Sequence, residues 1–126
     1  MKRVSGKVVI VTGGATGIGE AISKKFALEG ASVIVNGFPE DPVNDVVQSI
    51  VQSGGEATGF IADISIEENA RDCVEFAIAK YNRLDVLINN AGVFPVMEQI
   101  SQYPLDAFDY LVRNNIHLHS RTKCRE

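Results

Sequence analysis

Residues 7–19 read KVVIVTGGATGIG, a short apolar run that passes directly into a loop with four glycines. The run Lys7–Thr12 is rich in β-branched residues, which is typical of a buried strand. Glycine permits positive φ and lets a phosphate approach the main chain without a Cβ in the way. A helix that starts after such a loop adds free N–H groups and the positive end of its dipole. The stretch predicts a strand, an anion-binding loop and a helix; the alternative is a tight turn that binds nothing.

Similar apolar runs follow at 32–37, 57–62 and 84–89. They start about 25 residues apart, as parallel strands joined by helical crossovers require. The runs at 7–12, 32–37 and 84–89 are continuous rather than alternating, which indicates strands covered on both faces. The chain is therefore predicted to be an α/β protein of the Rossmann type, with an incomplete, doubly wound parallel sheet of about four strands and flanking helices.

Apolar residues recur at helical spacing in the segments that follow the strands. In the first segment, Ile18, Ile22 and Phe26 are predicted to face the sheet. In the second, Asp41 is predicted to cap the helix and Pro42 to take its first position. Two further helices are predicted, at 65–81 and from about residue 104.

Composition limits the function classes. The 126 residues suggest one domain, and with 45% hydrophobic residues and a net charge of −4 they are too apolar for a disordered chain. The mild acidity disfavours nucleic-acid and anionic-membrane partners, and no apolar run is long enough to cross a bilayer. Cys73 and Cys124 form no spacing pattern, so a reducing cytoplasm is expected and no metal site is predicted.

Three motifs together resemble those of the short-chain dehydrogenase/reductase family. TGGATGIG (12–19) matches the family's T-G-x-x-x-G-x-G, NNAG (89–92) follows the fourth run as the second family signature does, and Asp63-Ile64 follows the third. The resemblance extends from about Gly6 to Ile116. It implies hydride transfer between a nicotinamide dinucleotide, NAD or NADP, and an alcohol or carbonyl substrate, with a homo-oligomer as a possible assembly.

The resemblance also implies residue roles. The residues that would cradle the cofactor phosphates are Gly13, Thr16, Gly17, Ile18 and Gly19. Those that would lie along the cofactor ribose and secure the fourth strand are Asn90, Ala91 and Gly92. Asp63 would accept from the adenine amino group with Ile64 against the ring, and Asn115 would complete a catalytic proton relay. The alternatives from residue type alone are that Asp63 is a turn residue and that Asn115 is a buried residue whose amide finds a hydrogen-bond partner.

The residue at the end of the second strand usually decides between the two cofactors. An acid about 20 positions past the glycine motif accepts from the ribose of NAD, whereas an arginine accommodates the phosphate of NADP. Here Gly37 takes that place, no Lys or Arg stands beside it, and Thr16 is neutral. The choice stays open, and the absence of a cation favours NAD.

The family's catalytic Ser, Tyr and Lys are missing. The residues four positions beyond Tyr81, Tyr103 and Tyr110 are not lysines, so none forms the family's Tyr-x-x-x-Lys pair. From residue 117 the sequence also turns polar. We expect 1–116 to be the N-terminal cofactor-binding half of such an enzyme, truncated before Tyr-x-x-x-Lys and inactive alone, with 117–126 a foreign tail. The alternative is a non-catalytic nucleotide-binding or interaction module.

Overall fold

A computed structural model describes residues 2–91. The strands are β1 (Val8–Val11), β2 (Ser32–Gly37), β3 (Glu56–Ile61) and β4 (Val86–Ile88). The helices that alternate with them are α1 (Gly17–Leu28), α2 (Val43–Gln52) and α3 (Glu67–Tyr81). The helix predicted from residue 104, the polar tail, and the roles predicted for Gly92 and Asn115 lie outside the described residues.

The four strands form one parallel sheet in the order β3-β2-β1-β4. Val9 of β1 lies opposite Val33 of β2 on one side and Val86 of β4 on the other. The chain thus builds outward from β1 to β3 and then returns to the far side of β1. Such a reversal opens a crevice at the carboxyl ends of the strands, here between β1 and β4. The predicted Rossmann-type α/β fold is confirmed.

Both faces of the sheet are covered. On one face Val9 and Val11 belong to a cluster that includes residues of α1 and α2; on the other, Val8 and Ile10 belong to a cluster that includes residues of α3. All four of these β1 side chains are at most 3% exposed. A strand buried on both faces needs apolar side chains at every position, which explains the continuous run in the sequence.

The inward face of α1 differs from the prediction at its first residue, Ile18. Ile18 is 74% exposed, and the buried residues of the helix are Gly19, Ser23 and Ala27. Ile22 and Phe26 are partly buried and pack against the core cluster of Val9 and Val11, as predicted. The fully buried stripe lies one residue further along the helix. Small residues line it because the helix lies close to the loop before it: the Ser23 hydroxyl donates to the Gly14 carbonyl at 3.0 Å.

The described helices are short and end at residues with positive φ. The helix α1 has 12 residues, α2 has 10 and α3 has 15. Left-handed residues follow their ends at Gly30 (φ +100°), Gly54 (φ +91°) and Asn82 (φ +63°), which is a common way to stop a helix. Within residues 2–91, no helix is both long and apolar enough to cross a membrane.

Candidate functional site

The loop between β1 and α1 lies at the mouth of the crevice. Gly13 and Gly17 adopt left-handed backbone conformations, with φ of +61° and +51°. Glycine enters this region without the steric cost that a Cβ brings. The loop is also tied to the neighbouring strand, because the Gly14 N–H donates to the Asn36 carbonyl at 2.8 Å. The glycine-rich stretch is therefore a defined turn at the carboxyl edge of the sheet.

Two of its glycines allow three segments to meet. A Cβ added to Gly19 would overlap the Gly13 carbonyl oxygen and lie 2.5 Å from Asn90 Nδ2. One added to Gly13 would lie 3.0 Å from Ala91 Cα. The start of α1, the loop and the segment after β4 thus touch where side chains would keep them apart. Gly13 and Gly19 shape the site through this close approach.

Gly17 faces open space instead. A Cβ there would meet nothing within 4 Å, and its neighbours Thr16 and Ile18 are exposed. No described residue accepts a hydrogen bond from the main-chain N–H of Gly17, Ile18 or Gly19, the first residues of α1. Unpaired donors at a helix start, beside a position without a side chain, fit a diphosphate.

Thr12 joins this loop to the segment after β4. Its side chain is fully buried; the hydroxyl donates to the Ile88 carbonyl at 3.2 Å and accepts from the N–H groups of Asn90 at 3.0 Å and Ala91 at 2.9 Å. The Asn90 side-chain amide donates to the carbonyls of Thr12 and Gly13, both at 3.1 Å. The TGGATGIG and NNAG motifs thus form one hydrogen-bonded unit, which their separation in sequence does not reveal.

The residues after β3 divide between the crevice and the core. The Asp63 carboxylate accepts through Oδ1 from the Ser65 N–H at 3.0 Å and the Ser65 hydroxyl at 2.6 Å. Among residues 2–91, its Oδ2 accepts no hydrogen bond, and the residue is half-buried. Asp63 therefore both shapes the turn and keeps a free acceptor. Ile64 is 3% exposed and belongs to the core cluster of Val8 and Ile10, so its side chain faces the core rather than the crevice.

The turn after β2 corrects the role predicted for Asp41. The helix α2 begins at Val43, and no side chain caps it. The Asp41 carboxylate accepts instead from the Phe38 N–H at 2.9 Å, through Oδ2. A Cβ added to Gly37 would lie 3.1 Å from that Oδ2 and 2.6 Å from a Val43 methyl group. Residue 37 has no room for a side chain because these two groups fill the space.

The carboxyl edge of the described sheet is poor in cations. The loops 12–16, 38–42, 62–66 and 89–91 contain no Lys or Arg. The first cations on the helices that follow are paired: Lys24 with Glu20 at 2.6 Å and Arg71 with Glu67 at 3.5 Å. No group of three or more His, Cys, Asp or Glu side chains suited to a metal ion occurs in the described part of the chain. The edge offers main-chain donors and carboxylate acceptors.

A family comparison agrees with this geometry. The model of the short chain dehydrogenase family matches residues 7–120. The chain belongs to the short-chain dehydrogenase family. The match contains the glycine loop, the turn after β2 and the segment after β4, and it confirms the resemblance that the three motifs indicate.

Relatives in this family share the sequence over most of the chain. An uncharacterized oxidoreductase of Methylorubrum extorquens is 43% identical over 105 residues, 81% of this chain. The 7alpha-hydroxysteroid dehydrogenase of Escherichia coli is 43% identical over 90 residues, 71% of this chain. These matches span 42% and 35% of the two relatives' own lengths. The short-chain dehydrogenase segment therefore corresponds to less than half of each relative.

A solved structure shows the same arrangement. The short chain dehydrogenase of Burkholderia cenocepacia, in complex with NADP, superposes with a TM-score of 0.89 at 31% sequence identity. The superposition covers 96% of this chain and 49% of that protein. This chain thus shares the fold of about half of a protein that is in complex with NADP.

Proposed function

We propose that residues 1–116 are the cofactor-binding part of an NAD(P)-dependent short-chain oxidoreductase, with the cofactor diphosphate on the loop 13–19. The observation that carries this is the open, left-handed Gly17 beside the unpaired N–H groups of Gly17 and Ile18. A diphosphate needs main-chain donors that it can approach closely, and a Cβ at this position would stand in its way. The NADP complex of the Burkholderia protein supports the same ligand class.

Further residues are proposed to hold the rest of the dinucleotide. Asp63 Oδ2 accepts from the adenine amino group, while the main chain of Ile64 borders the ring. Ala91 and Gly92 lie along the ribose, with Asn90 holding their segment against the loop. When bound, the dinucleotide supplies the hydride donor or acceptor. Asn115 belongs to the proton relay of the complete enzyme in this proposal.

Turnover needs an acid or base at the substrate oxygen, with a pKa near the working pH. A tyrosine titrates near pH 10 unless a neighbouring cation lowers its pKa. No tyrosine of this sequence has a lysine four residues later. We therefore propose that the 126-residue chain, with 117–126 as a polar tail, binds cofactor in the cytoplasm without turning over an alcohol or carbonyl. The same feature favours a non-catalytic nucleotide-binding module as the second candidate.

Titration of the purified chain with NADH, followed by cofactor fluorescence, tests the proposal. We expect saturable binding, and loss of it in Gly17→Val. Gly54→Val is the matched control, because Gly54 also has positive φ and open space around it but lies at the end of α2. Absence of binding in the folded chain, or equal binding in Gly17→Val, would overturn the assignment. Turnover of an alcohol by the chain would contradict the proposal that it is inactive.

A further inference from the structure

The packing of α2 against the sheet leaves no space for a side chain at residue 37, the last residue of β2. Val43 is 1% exposed, and its two methyl groups lie 2.6 Å and 2.7 Å from where Cβ atoms of Gly37 and Gly59 would be. These glycines belong to neighbouring strands, so one valine fills the space above both. No side chain at residue 37 can reach toward the crevice while α2 is seated in this way.

Asp41 places a carboxylate in this region. The main-chain N–H of Asp41 donates to the Phe38 carbonyl at 3.0 Å, and its Oδ2 accepts from the Phe38 N–H, so both the main chain and the side chain of Asp41 are bonded to Phe38. Oδ1 accepts no hydrogen bond from the residues that the structure describes. The carboxylate thus has one oxygen fixed and one available.

The position of this carboxylate suits the ribose end of a dinucleotide. Oδ2 lies 3.1 Å from the Cβ that residue 37 would have, and the carbonyl of Asn36, one residue earlier, accepts from the Gly14 N–H. The carboxylate therefore borders the strand end that is bonded directly to the glycine loop. In Rossmann-type sites the ribose hydroxyls are read by an acid at the end of this strand.

The charges around the turn also disfavour a phosphate on the ribose. Glu40 and Asp41 are the ionisable residues of the turn, and both are acidic. A phosphate on the ribose would meet this negative charge with no Lys or Arg in the described loops of the carboxyl edge to compensate. Like charges at close range are strongly unfavourable where solvent is partly excluded.

We propose that Asp41 is the residue that selects the cofactor: its Oδ1 accepts a hydrogen bond from a ribose hydroxyl of NAD, and its charge excludes the ribose phosphate of NADP. The inference rests on the proposed function of the glycine loop. Asp41, four positions past Gly37, would thus accept from the ribose, a role that Gly37 cannot perform because it has no side chain. The chain therefore prefers NAD, although the Burkholderia relative is in complex with NADP.

Parallel titrations of the full chain with NADH and NADPH test the inference. We expect NADH to bind at least about tenfold more tightly than NADPH, the size of one hydrogen bond to a charged group. Asp41→Asn keeps an oxygen to accept from Phe38 and removes the charge, and it should bring the two affinities within about threefold of each other. Asp45→Asn, an exposed residue in the first turn of α2, makes the same change in net charge and should leave the ratio as in the wild type.

The outcomes separate the inference from the function on which it depends. Binding that Gly17→Val abolishes, with a ratio that Asp41→Asn leaves unchanged, would overturn the role of Asp41 and keep the glycine-loop site. Equal affinities in the wild type, or a preference for NADPH, would do the same. No binding of either cofactor to the folded chain would overturn both. Circular dichroism of each variant identifies one that has lost the fold, and in that case Asp41→Ser takes the place of Asp41→Asn.

Discussion

The two ends of the sheet are stabilised in different ways. At the carboxyl end, buried polar groups such as Thr12 and Asn36 make short hydrogen bonds to the main chain of neighbouring segments. At the amino end, charged side chains join the segments: Arg3 pairs with Glu29, and Asp85, which pairs with Arg83 in its own loop, accepts from the Val8 N–H. The carboxyl end is thus stabilised by buried hydrogen bonds to the main chain, and the amino end by pairs that include exposed arginines.

The difference shows where substitutions should matter. When one partner of a buried hydrogen bond is removed, the other cannot bond to water instead, so the loss of the bond is costly. An exposed ion pair exchanges its partner for water and salt at little cost. The glycine loop thus lies at the end where the fold tolerates least change.

The largest effect is expected at Gly19. In Gly19→Val the added side chain overlaps the Gly13 carbonyl and the Asn90 amide, so the start of α1 must move away from the loop. We expect destabilisation by about 3 kcal/mol, as for overpacking against main chain, measured by urea unfolding. Ala21→Val adds bulk to the exposed side of the same helix and should cost less than about 1 kcal/mol. Equal stability of the two variants would contradict the close approach.

The Thr12 hydroxyl should rank next. Thr12→Val keeps the shape of the side chain but leaves the Ala91 N–H without its acceptor, and the Asn90 N–H with only the Ile88 carbonyl. We expect a loss of about 2 kcal/mol, the cost of unpaired buried polar groups, in the same unfolding assay. Thr12→Ser retains the hydroxyl and should recover most of that stability. If Thr12→Ser is as unstable as Thr12→Val, the hydroxyl contributes no more to stability than the methyl group, which contradicts its role in joining the two motifs.

The smallest effect belongs to the amino end. Hydrogen bonds from the Arg83 guanidinium and then from the Val8 N–H lower the pKa of Asp85 to about 2. A lowered pKa adds stability above the unfolded-state value of about 4, and this contribution disappears as the pH falls toward 2. Asp85→Asn should therefore flatten the acid side of the stability profile between about pH 4 and pH 2.

Salt provides the control for that profile. Because the Arg83 side chain is 52% exposed, high salt should weaken its pairing with Asp85 and reduce the difference between wild type and Asp85→Asn. Superimposable acid profiles of the two proteins at low salt would show that Asp85 does not link β4 to β1.

The sequence predicts those parts of the molecule that depend on local pattern. The strand 32–37 has the predicted bounds, because the apolar run, buried on both faces, ends at a glycine with a proline two residues later. The loop at 13–19 was identifiable because left-handed conformations and close approaches both require glycine. These constraints act on individual residues and are visible without the fold.

Other features depend on how segments approach each other. Ile18 points outward because α1 lies so close to the loop that only Gly19 and Ser23 fit beneath it, and helical periodicity does not reveal that distance. Asp41 has a residue type suited to helix caps, but Val43 over Gly37 directs the turn so that its carboxylate accepts from Phe38. Both differences arise from tertiary packing that overrides a local preference.

The most direct test is an amide-resolved nuclear magnetic resonance titration of the full chain with NAD. The largest shifts should occur at the N–H groups of Gly17, Ile18 and Gly19, with smaller ones at Asn90, and Gly17→Val should remove them. The groove between the ends of α1 and α2, lined by Lys24 and Gly54 at the opposite end of the sheet, should stay unchanged. Shifts confined to that groove, or none at the start of α1, would contradict a dinucleotide site on the glycine loop.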